Sequence, residues 1–245
     1  MLVSTSCSRQ ADAMTSGDPG SAQAALREMR DGIAFWRSRK WPTDFHNACY
    51  QLWATQNRNG EFTAEWWENY QLPRLTSWVA TRPVGRKVLT ARFIESIAAL
   101  RTAWQEACLP SLVADIAEVT WDEVKAFPDE VAKIKPTKTG SPSAVFTSKF
   151  CHFLLPRVFP VLDNAGLGSA RRTYESYFRS VQNEWVSTGA VTRDALSAEL
   201  TDLIEAEGRP IPDSPSPTRS WSCASSASTT LARPPEQHGE ASAWV

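Results

Sequence analysis

The sequence predicts an all-α protein with a single globular multi-helix domain. Apolar residues recur at steps of three and four along several segments, which is the spacing of one face of a helix. Prolines and helix-capping residues stand at the ends of these segments, where they start or stop helices. No segment alternates apolar and polar residues as a half-buried strand does. We therefore expect the helical domain to extend over residues 21–208.

The two ends of the chain differ in composition from this domain. Residues 1–20 are small and polar and contain Gly and Pro, so we expect a flexible leader. Residues 209–245 are rich in Ser, Pro and Ala and lack periodicity, which is typical of a disordered tail. A second hypothesis treats the tail as an out-of-frame remnant of a core helix, because a shifted frame through 213–227 can encode an amphipathic helix. The coding DNA decides between these two interpretations.

The first half of the domain is predicted to be helical, and each element is marked by a cap, a proline or an apolar stripe. The predicted elements are a helix from Ser21 to about Ser38, a helix opened by Pro42 and Asp44, a turn at 57–60, a short helix capped by Thr63, and a long helix from Arg86 to Ala107. The long helix has the clearest pattern. Its apolar residues form one continuous stripe, made of Leu89, Phe93, Ile97, Leu100, Trp104 and Ala107.

The second half is predicted to alternate short helices and loops. Thr120 and Glu123 have the spacing of a capping box, in which each side chain accepts a hydrogen bond from the other residue's backbone N–H. The further predicted elements are a short helix begun by Pro128, a loop at 135–143, a helix with Pro142 in its first turn that Pro156 ends, a helix within 169–187, and a last helix capped by Thr192 and ended by Gly208. The helix within 169–187 has one apolar side, made of Tyr174, Tyr177, Phe178, Val181 and Trp185.

Composition and motifs exclude several classes of function. The formal net charge of −1 argues against attraction of the whole protein to nucleic acid or membrane, though not against a local basic patch. The five Cys and three His are widely separated and lack metal-ligand spacing, so no metal and no other cofactor is expected. The common nucleotide-binding and hydrolase motifs are absent. The sequence shows neither a secretory signal nor an apolar run of membrane-spanning length, which predicts a cytoplasmic protein.

The segment SKFCHFLLPRVFPVLDN, residues 148–164, carries the first candidate site. Lys149 and His152 are three residues apart and share one side of a predicted helix, whose Phe residues occupy mainly the other side. Asp163 follows a turn at Pro160, and a carboxylate that returns towards a His or Lys could activate a nucleophile. In the structural alternative, Asp163 caps the next helix, His152 is a hydrogen-bonded interior residue and Lys149 is solvated. We favour the structural alternative, because no third group or motif spacing supports a catalytic mechanism.

A longer stretch around this segment, KTGSPSAVFTSKFCHFLLPRVFPVLDNAG, resembles the loop–helix–turn–Asp order of the helix-hairpin-helix DNA glycosylases. It also resembles uncharacterised bacterial helical proteins that carry a SKFxHFxxPxxFPxxD segment. In the glycosylases, a Gly-containing hairpin approaches a DNA phosphate through backbone N–H groups, and an Asp after the following helix serves catalysis. The resemblance implies that residues 139–143 form the hairpin, that Lys138 lies near it and that Asp163 is the catalytic carboxylate. The hairpin keeps one glycine here, Gly140, and Asp163 is followed by NAG.

Basic residues indicate a second type of site. Arg171 and Arg172 stand near the start of a predicted helix, where positive charge opposes the helix dipole and therefore calls for an anionic partner. The alternative is an amphipathic helix with a solvated basic side. The leading hypothesis is a cytoplasmic helical protein that binds nucleic acid or another anionic partner through a local basic surface of Lys138, Lys149, Arg171 and Arg172. The competing hypotheses are a glycosylase-like enzyme that uses Asp163 and a helical interaction module without catalysis.

Trp is unusually frequent, with eleven residues in the chain, most of them before residue 125. Aromatic rings among Arg and Lys can stack on bases while the cations hold phosphates. The same rings can instead fill a helical core, because each Trp buries a large area. Acidic residues also lie among them, at Glu61, Glu65 and Glu68. We therefore expect the Trp residues to belong mainly to the core.

Overall fold

The computed structural model describes residues 57, 59–137, 140–162 and 173–206, together with five residues between 23 and 31. Those five are helical and exposed and fall within the first predicted helix: Gln23, Ala24, Arg27, Arg30 and Asp31. The predicted leader, second helix and tail lie outside the described residues, as do the caps predicted at Ser21 and Gly208. The described part is mainly helical and forms no strand, which confirms the predicted all-α class.

The helices of the described part are numbered here in chain order. They are α1 (Ala64–Trp66), α2 (Leu72–Ser77), α3 (Arg86–Ala103), α4 (Trp121–Val124), α5 (Ala126–Ile134), α6 (Ala144–Leu154), α7 (Tyr174–Ser187) and α8 (Ala190–Ala206). A π-helical segment, Trp67–Gln71, joins α1 to α2, and a second, Trp104–Cys108, continues α3. The long predicted helix is therefore present, although its last turn is π-helical rather than α-helical.

Several local predictions are confirmed by hydrogen bonds. At the turn of residues 57–60, the Gly60 N–H donates to the Asn57 carbonyl at 3.0 Å. Thr63 caps α1 by accepting from the Trp66 N–H at 3.0 Å. The capping box at Thr120 is complete in both directions. Because these contacts are local, the sequence alone is sufficient to predict them.

Three predicted helix starts are wrong by two or three residues. Pro142 precedes α6, because it pairs with Pro136 in an isolated bridge and leaves Ser143 as the N-cap. Pro128 stands inside the first turn of α5, which begins at Ala126, where the missing proline N–H costs no helical bond. Thr192 lies within α8, not at its N-cap. The Gly189 carbonyl accepts the bond from Arg193 N–H, so α8 begins directly after that glycine.

Helix α6 lies at the centre of the described part. Eight consecutive residues, 146–153, are buried, so the helix has no solvated side over this length. Phe150 contacts Trp67 at 6.2 Å between ring centroids and Phe127 of α5 at the same distance. The Phe residues face the core as predicted. The predicted polar side is also buried, because neighbouring segments cover it.

The Trp residues between α1 and α4 contribute to one aromatic core, as predicted. Trp67 and Trp104 are fully buried, and Trp67 stacks on Phe93 at a centroid distance of 4.5 Å. Trp121 meets Phe178 of α7 at 5.2 Å. Offset and edge-to-face packing of this kind contributes beyond the area that each ring buries. Trp36, Trp41 and Trp53 lie outside the described residues.

Candidate anion-binding site

The segment that follows α6 is held against that helix through its backbone. Phe159–Leu162 belongs to no helix or strand, so its polar groups need other partners. Each of its four carbonyl groups accepts a hydrogen bond from a buried side chain. The donors are His152 Nδ1 to Phe159 (2.6 Å), the Tyr174 hydroxyl to Pro160 (3.2 Å), the Tyr177 hydroxyl to Val161 (2.9 Å) and the Ser148 hydroxyl to Leu162 (3.3 Å). We call residues 159–162 the clamped segment.

Ser148 and His152, both on α6, donate two of these four hydrogen bonds. Ser148 Oγ also accepts from the Leu162 N–H at 3.0 Å, and its single proton is shared between the carbonyls of Val145 and Leu162. The Phe159 carbonyl can only accept, so Nδ1 of His152 carries the proton in this bond. His152 is therefore a hydrogen-bonded interior residue, which is the role that the structural alternative gave it.

Tyr174 and Tyr177, both on α7, donate the other two hydrogen bonds to the clamped segment. Burial raises the pKa of Tyr174 well above its ordinary value, which keeps the hydroxyl protonated and able to donate. Thr173 caps α7 by accepting from the Ser176 N–H. The clamped segment ends one residue before Asp163, and α7 begins just after Arg171 and Arg172. Tyr174, two residues after Arg172 in sequence, thus bonds the same segment that ends at Leu162.

Two buried lysines meet the turn that follows α2. The Ala80 N–H donates to the Leu75 carbonyl at 2.8 Å, and Val79 takes the left-handed conformation with φ of 57°. This is the usual geometry of a helix C-terminus, although the residue there is normally Gly. Lys149 donates from Nζ to the Trp78 carbonyl at 3.0 Å, and Lys135 donates to the Ala80 carbonyl at 2.7 Å. Both ammonium groups therefore stabilise the negative end of the α2 dipole.

Lys135 has an unusual electrostatic environment. Its side chain is 7% exposed, and its Nζ also reaches Ser143 Oγ at 3.5 Å and the Phe146 ring at 5.7 Å from the centroid. Burial lowers its pKa, and the positive charge of Lys149 lowers it further. The described hydrogen bonds of Lys135 all go to neutral oxygens. The ammonium groups of Lys135 and Lys149 thus bond carbonyls only two residues apart, those of Ala80 and Trp78.

That loop is the one predicted at 135–143, and it is compact. The Thr137 N–H donates to Ser141 at 2.6 Å and the Gly140 N–H donates to Thr137 at 3.0 Å. Gly140 has φ of 82°, a conformation that favours glycine. Ser143 is the N-cap of α6 but makes no side-chain capping bond, since its hydroxyl faces Lys135. Lys138, between the two buried lysines in sequence, lies outside the described residues.

The structure separates the functional ends of the two predicted catalytic residues that it describes. Lys149 is directed to the turn after α2 and His152 to the clamped segment. Lys149 is 6% exposed, so it is not the solvated residue of the structural alternative. Asp163 lies outside the described residues, as do the predicted anion-binding residues Arg171 and Arg172.

Sequence reasoning missed Lys135 and the two tyrosine hydroxyls of the clamp. Lys135 stands beside a proline at the start of a loop, a position that normally indicates a solvated side chain. Tyr174 and Tyr177 are correctly placed on the buried side of α7, but periodicity does not reveal a hydrogen-bond partner. Only the fold brings these groups to α6 and the clamped segment.

Within the described ranges, no cluster of His, Cys, Asp and Glu could hold a metal ion. The helices of the same ranges include none that is long and apolar enough to cross a membrane. No protein-family model, curated protein or solved structure is similar enough to this chain to count as a match. The function is therefore inferred from the geometry of the described residues and from the sequence that adjoins them.

Proposed function

We propose that the protein binds an anionic partner, nucleic acid in particular, through the loop at 135–143 and the arginines that precede α7. The observation that carries this proposal is a pair of buried lysines, one at the start of the loop and one in the helix that follows it, which both bond the turn after α2. Lys135 and Lys149 place two positive charges where little water screens them. A positive region of this kind attracts phosphate groups more strongly than the same charges do on an open surface.

The adjoining sequence contains further basic residues. Lys138 belongs to the loop itself, and Arg171 and Arg172 directly precede Thr173, the N-cap of α7. Positive charge at a helix N-terminus is unfavourable unless an anion offsets it.

The proposal is tested by titrating labelled duplex and single-stranded DNA at several salt concentrations. We expect affinity to fall steeply with salt, because phosphate binding releases counterions. Substituting Arg171→Ala should weaken binding to all sequences about equally and reduce the salt slope by roughly one. Lys133→Ala is the matched control. Lys133 is exposed and paired with Glu130 at 2.5 Å, so the same change in net charge should leave affinity nearly unchanged.

Two results oppose the proposal. Absence of binding to both forms of DNA at low salt removes nucleic acid as the partner. Equal loss of affinity in Lys133→Ala and Arg171→Ala shows that net charge, and not a defined surface, governs binding. In the first case a helical interaction module without nucleic acid becomes the better hypothesis.

We also propose a second candidate function, a glycosylase-like activity that uses Asp163. The clamped segment favours it, since four side-chain bonds fix the backbone up to the residue before Asp163. A catalytic carboxylate needs this kind of positioning. In an enzyme, Asp163→Asn abolishes base release from damaged DNA while DNA binding survives. If Asp163 only caps a helix, the same change lowers the melting temperature and no base release is found in the wild type.

A further inference from the structure

We propose that the basic surface extends from the loop at 135–143 over the turn between α2 and α3, and that its partner is the backbone of double-stranded nucleic acid. Three exposed cations of this turn and of the first turn of α3 make the additional phosphate contacts: Arg82, Arg86 and Lys87. This inference rests on the nucleic-acid binding proposed above. It adds residues to that surface and selects one form of nucleic acid.

The charges of the chain are unevenly distributed along the sequence. Residues 69–94 contain five basic residues and no acidic one, and residues 135–162 contain four basic residues and no acidic one. The whole chain, in contrast, has 27 acidic and 26 basic residues. A local excess of one sign of charge produces a strong field over the surface where it lies. Two stretches without a carboxylate therefore form a positive surface if the fold places them side by side.

The fold does bring these two stretches together. Lys135 Nζ donates to the Ala80 carbonyl at 2.7 Å, and the Gln71 side chain donates to the Phe150 carbonyl at 3.2 Å. Helix α3 also packs against α5, which ends directly before Lys135. The turn that leads into α3 therefore lies beside the start of the loop at 135–143.

The three cations of this turn are available to a partner. All three are exposed, and none forms an ion pair or a side-chain hydrogen bond with another residue of the part that the structure describes. Other exposed cations differ in this respect, because each contacts a carboxylate: Lys125, Lys133 and Arg179. A phosphate group that approaches the turn thus meets positive charges that no neighbouring carboxylate offsets.

The described surface offers little for the stacking of bases. Proteins that bind single strands stack successive bases on exposed aromatic rings. Tyr70 is the one exposed aromatic side chain of the described residues, at 40%, and the Arg74 guanidinium already lies over its ring at 5.9 Å from the centroid. A duplex, in contrast, presents the phosphates of two strands and requires no stacking. Free cations without exposed rings therefore favour a duplex, recognised by its backbone and not by its base sequence.

The test compares two triple variants of the full chain in titrations of a labelled DNA duplex and of a single strand of the same length. The first variant removes the three unpaired charges, by Arg82→Gln, Arg86→Gln and Lys87→Gln. The control variant removes the same net charge at ion-paired positions, by Lys125→Gln, Lys133→Gln and Arg179→Gln.

The first variant should bind the duplex about tenfold or more weakly than the wild type at about 0.1 M salt. Its salt slope should be smaller by roughly two to three, because each lost phosphate contact removes about 0.9 from the slope. The control variant should bind nearly as the wild type does. The wild type should bind the duplex more tightly than the single strand.

A second measurement uses the wild type alone. Lysines are acetylated with and without the duplex, and the modified positions are mapped by mass spectrometry. The duplex should protect Lys87 and leave Lys133 reactive. Because this measurement requires no variant to fold, a Lys87 that stays equally reactive overturns the inference by itself.

The titrations separate this inference from the proposed function. If the wild type binds the duplex but the first variant keeps the same affinity and salt slope, the turn before α3 is not part of the surface and only the inference fails. If the single strand binds as tightly as the duplex, the choice of a duplex is wrong. If the wild type binds neither form of DNA, the proposed function fails and the inference fails with it.

Discussion

Two neighbouring hydroxyl groups of α6, those of Ser148 and Thr147, should affect the stability of the protein in opposite ways when each is removed. Ser148 is fully buried and its Oγ accepts from the Leu162 N–H at 3.0 Å, so Ser148→Ala leaves that N–H buried without an acceptor. The Leu162 carbonyl loses its donor as well. An unsatisfied buried group costs about 1–3 kcal/mol, and we expect a loss of about 2 kcal/mol, or close to thirtyfold in the folding equilibrium.

Thr147 provides the matched control one residue earlier. Its side chain is 3% exposed, and its hydroxyl has no hydrogen-bond partner among the described residues. Replacing it in Thr147→Val removes a buried polar group that gains nothing in the fold. Stability should stay the same or rise by up to about 1 kcal/mol. Urea unfolding followed by circular dichroism measures both variants. The reasoning is refuted if Thr147→Val costs as much as Ser148→Ala, or if Ser148→Ala costs nothing measurable.

Two further predictions concern glycine and pH. A Cβ on Gly60 would lie 2.2 Å from Trp104 at φ of 68°, whereas one on Gly189 at φ of 76° meets no described atom within 4 Å. Gly60→Ala should therefore lower the free energy of unfolding by about 1–3 kcal/mol more than Gly189→Ala, and equal losses in urea unfolding would contradict the clash. Because the pKa of Lys135 is lowered in the folded state, the unfolded state binds that proton more tightly. The free energy of unfolding should then rise as pH passes from the lowered pKa to the ordinary lysine value. Urea titrations at several pH values should show a smaller rise in Lys135→Met. If the free energy of unfolding of this variant depends on pH as steeply as that of the wild type, Lys135 is not the group responsible.

The parts of the fold that depend on local contacts follow from the sequence. The Thr63 cap, the Thr120 capping box and the stripe of α3 involve residues within one or two helical turns. The start of α8 was not predicted correctly from the sequence. Thr192 is a good capping residue, but Gly189 already ends α7 and directly precedes the next helix. Local preference identifies a possible cap, and the preceding element decides which one is used.

The site depends on contacts between residues far apart in sequence, and these were not predictable from spacing. The periodicity of the sequence predicts that α6 has one polar side and that this side faces solvent. The fold covers that side, so Lys149 reaches a carbonyl 71 positions away and Lys135 reaches one 55 positions away. The carbonyls of the clamped segment are likewise satisfied by side chains from two helices. A buried charge is informative about function because it has to be compensated, and sequence alone does not show which charges are buried.

The central claim is that a defined basic surface around the loop at 135–143 binds an anionic partner. Fluorescence anisotropy of a labelled DNA duplex, titrated with the wild-type chain at rising salt, tests it most directly. We expect saturable binding at low salt. The logarithm of the binding constant should fall linearly with the logarithm of the salt concentration, with a slope that corresponds to several phosphate contacts. Anisotropy that stays at the value of DNA alone throughout the low-salt titration would contradict it.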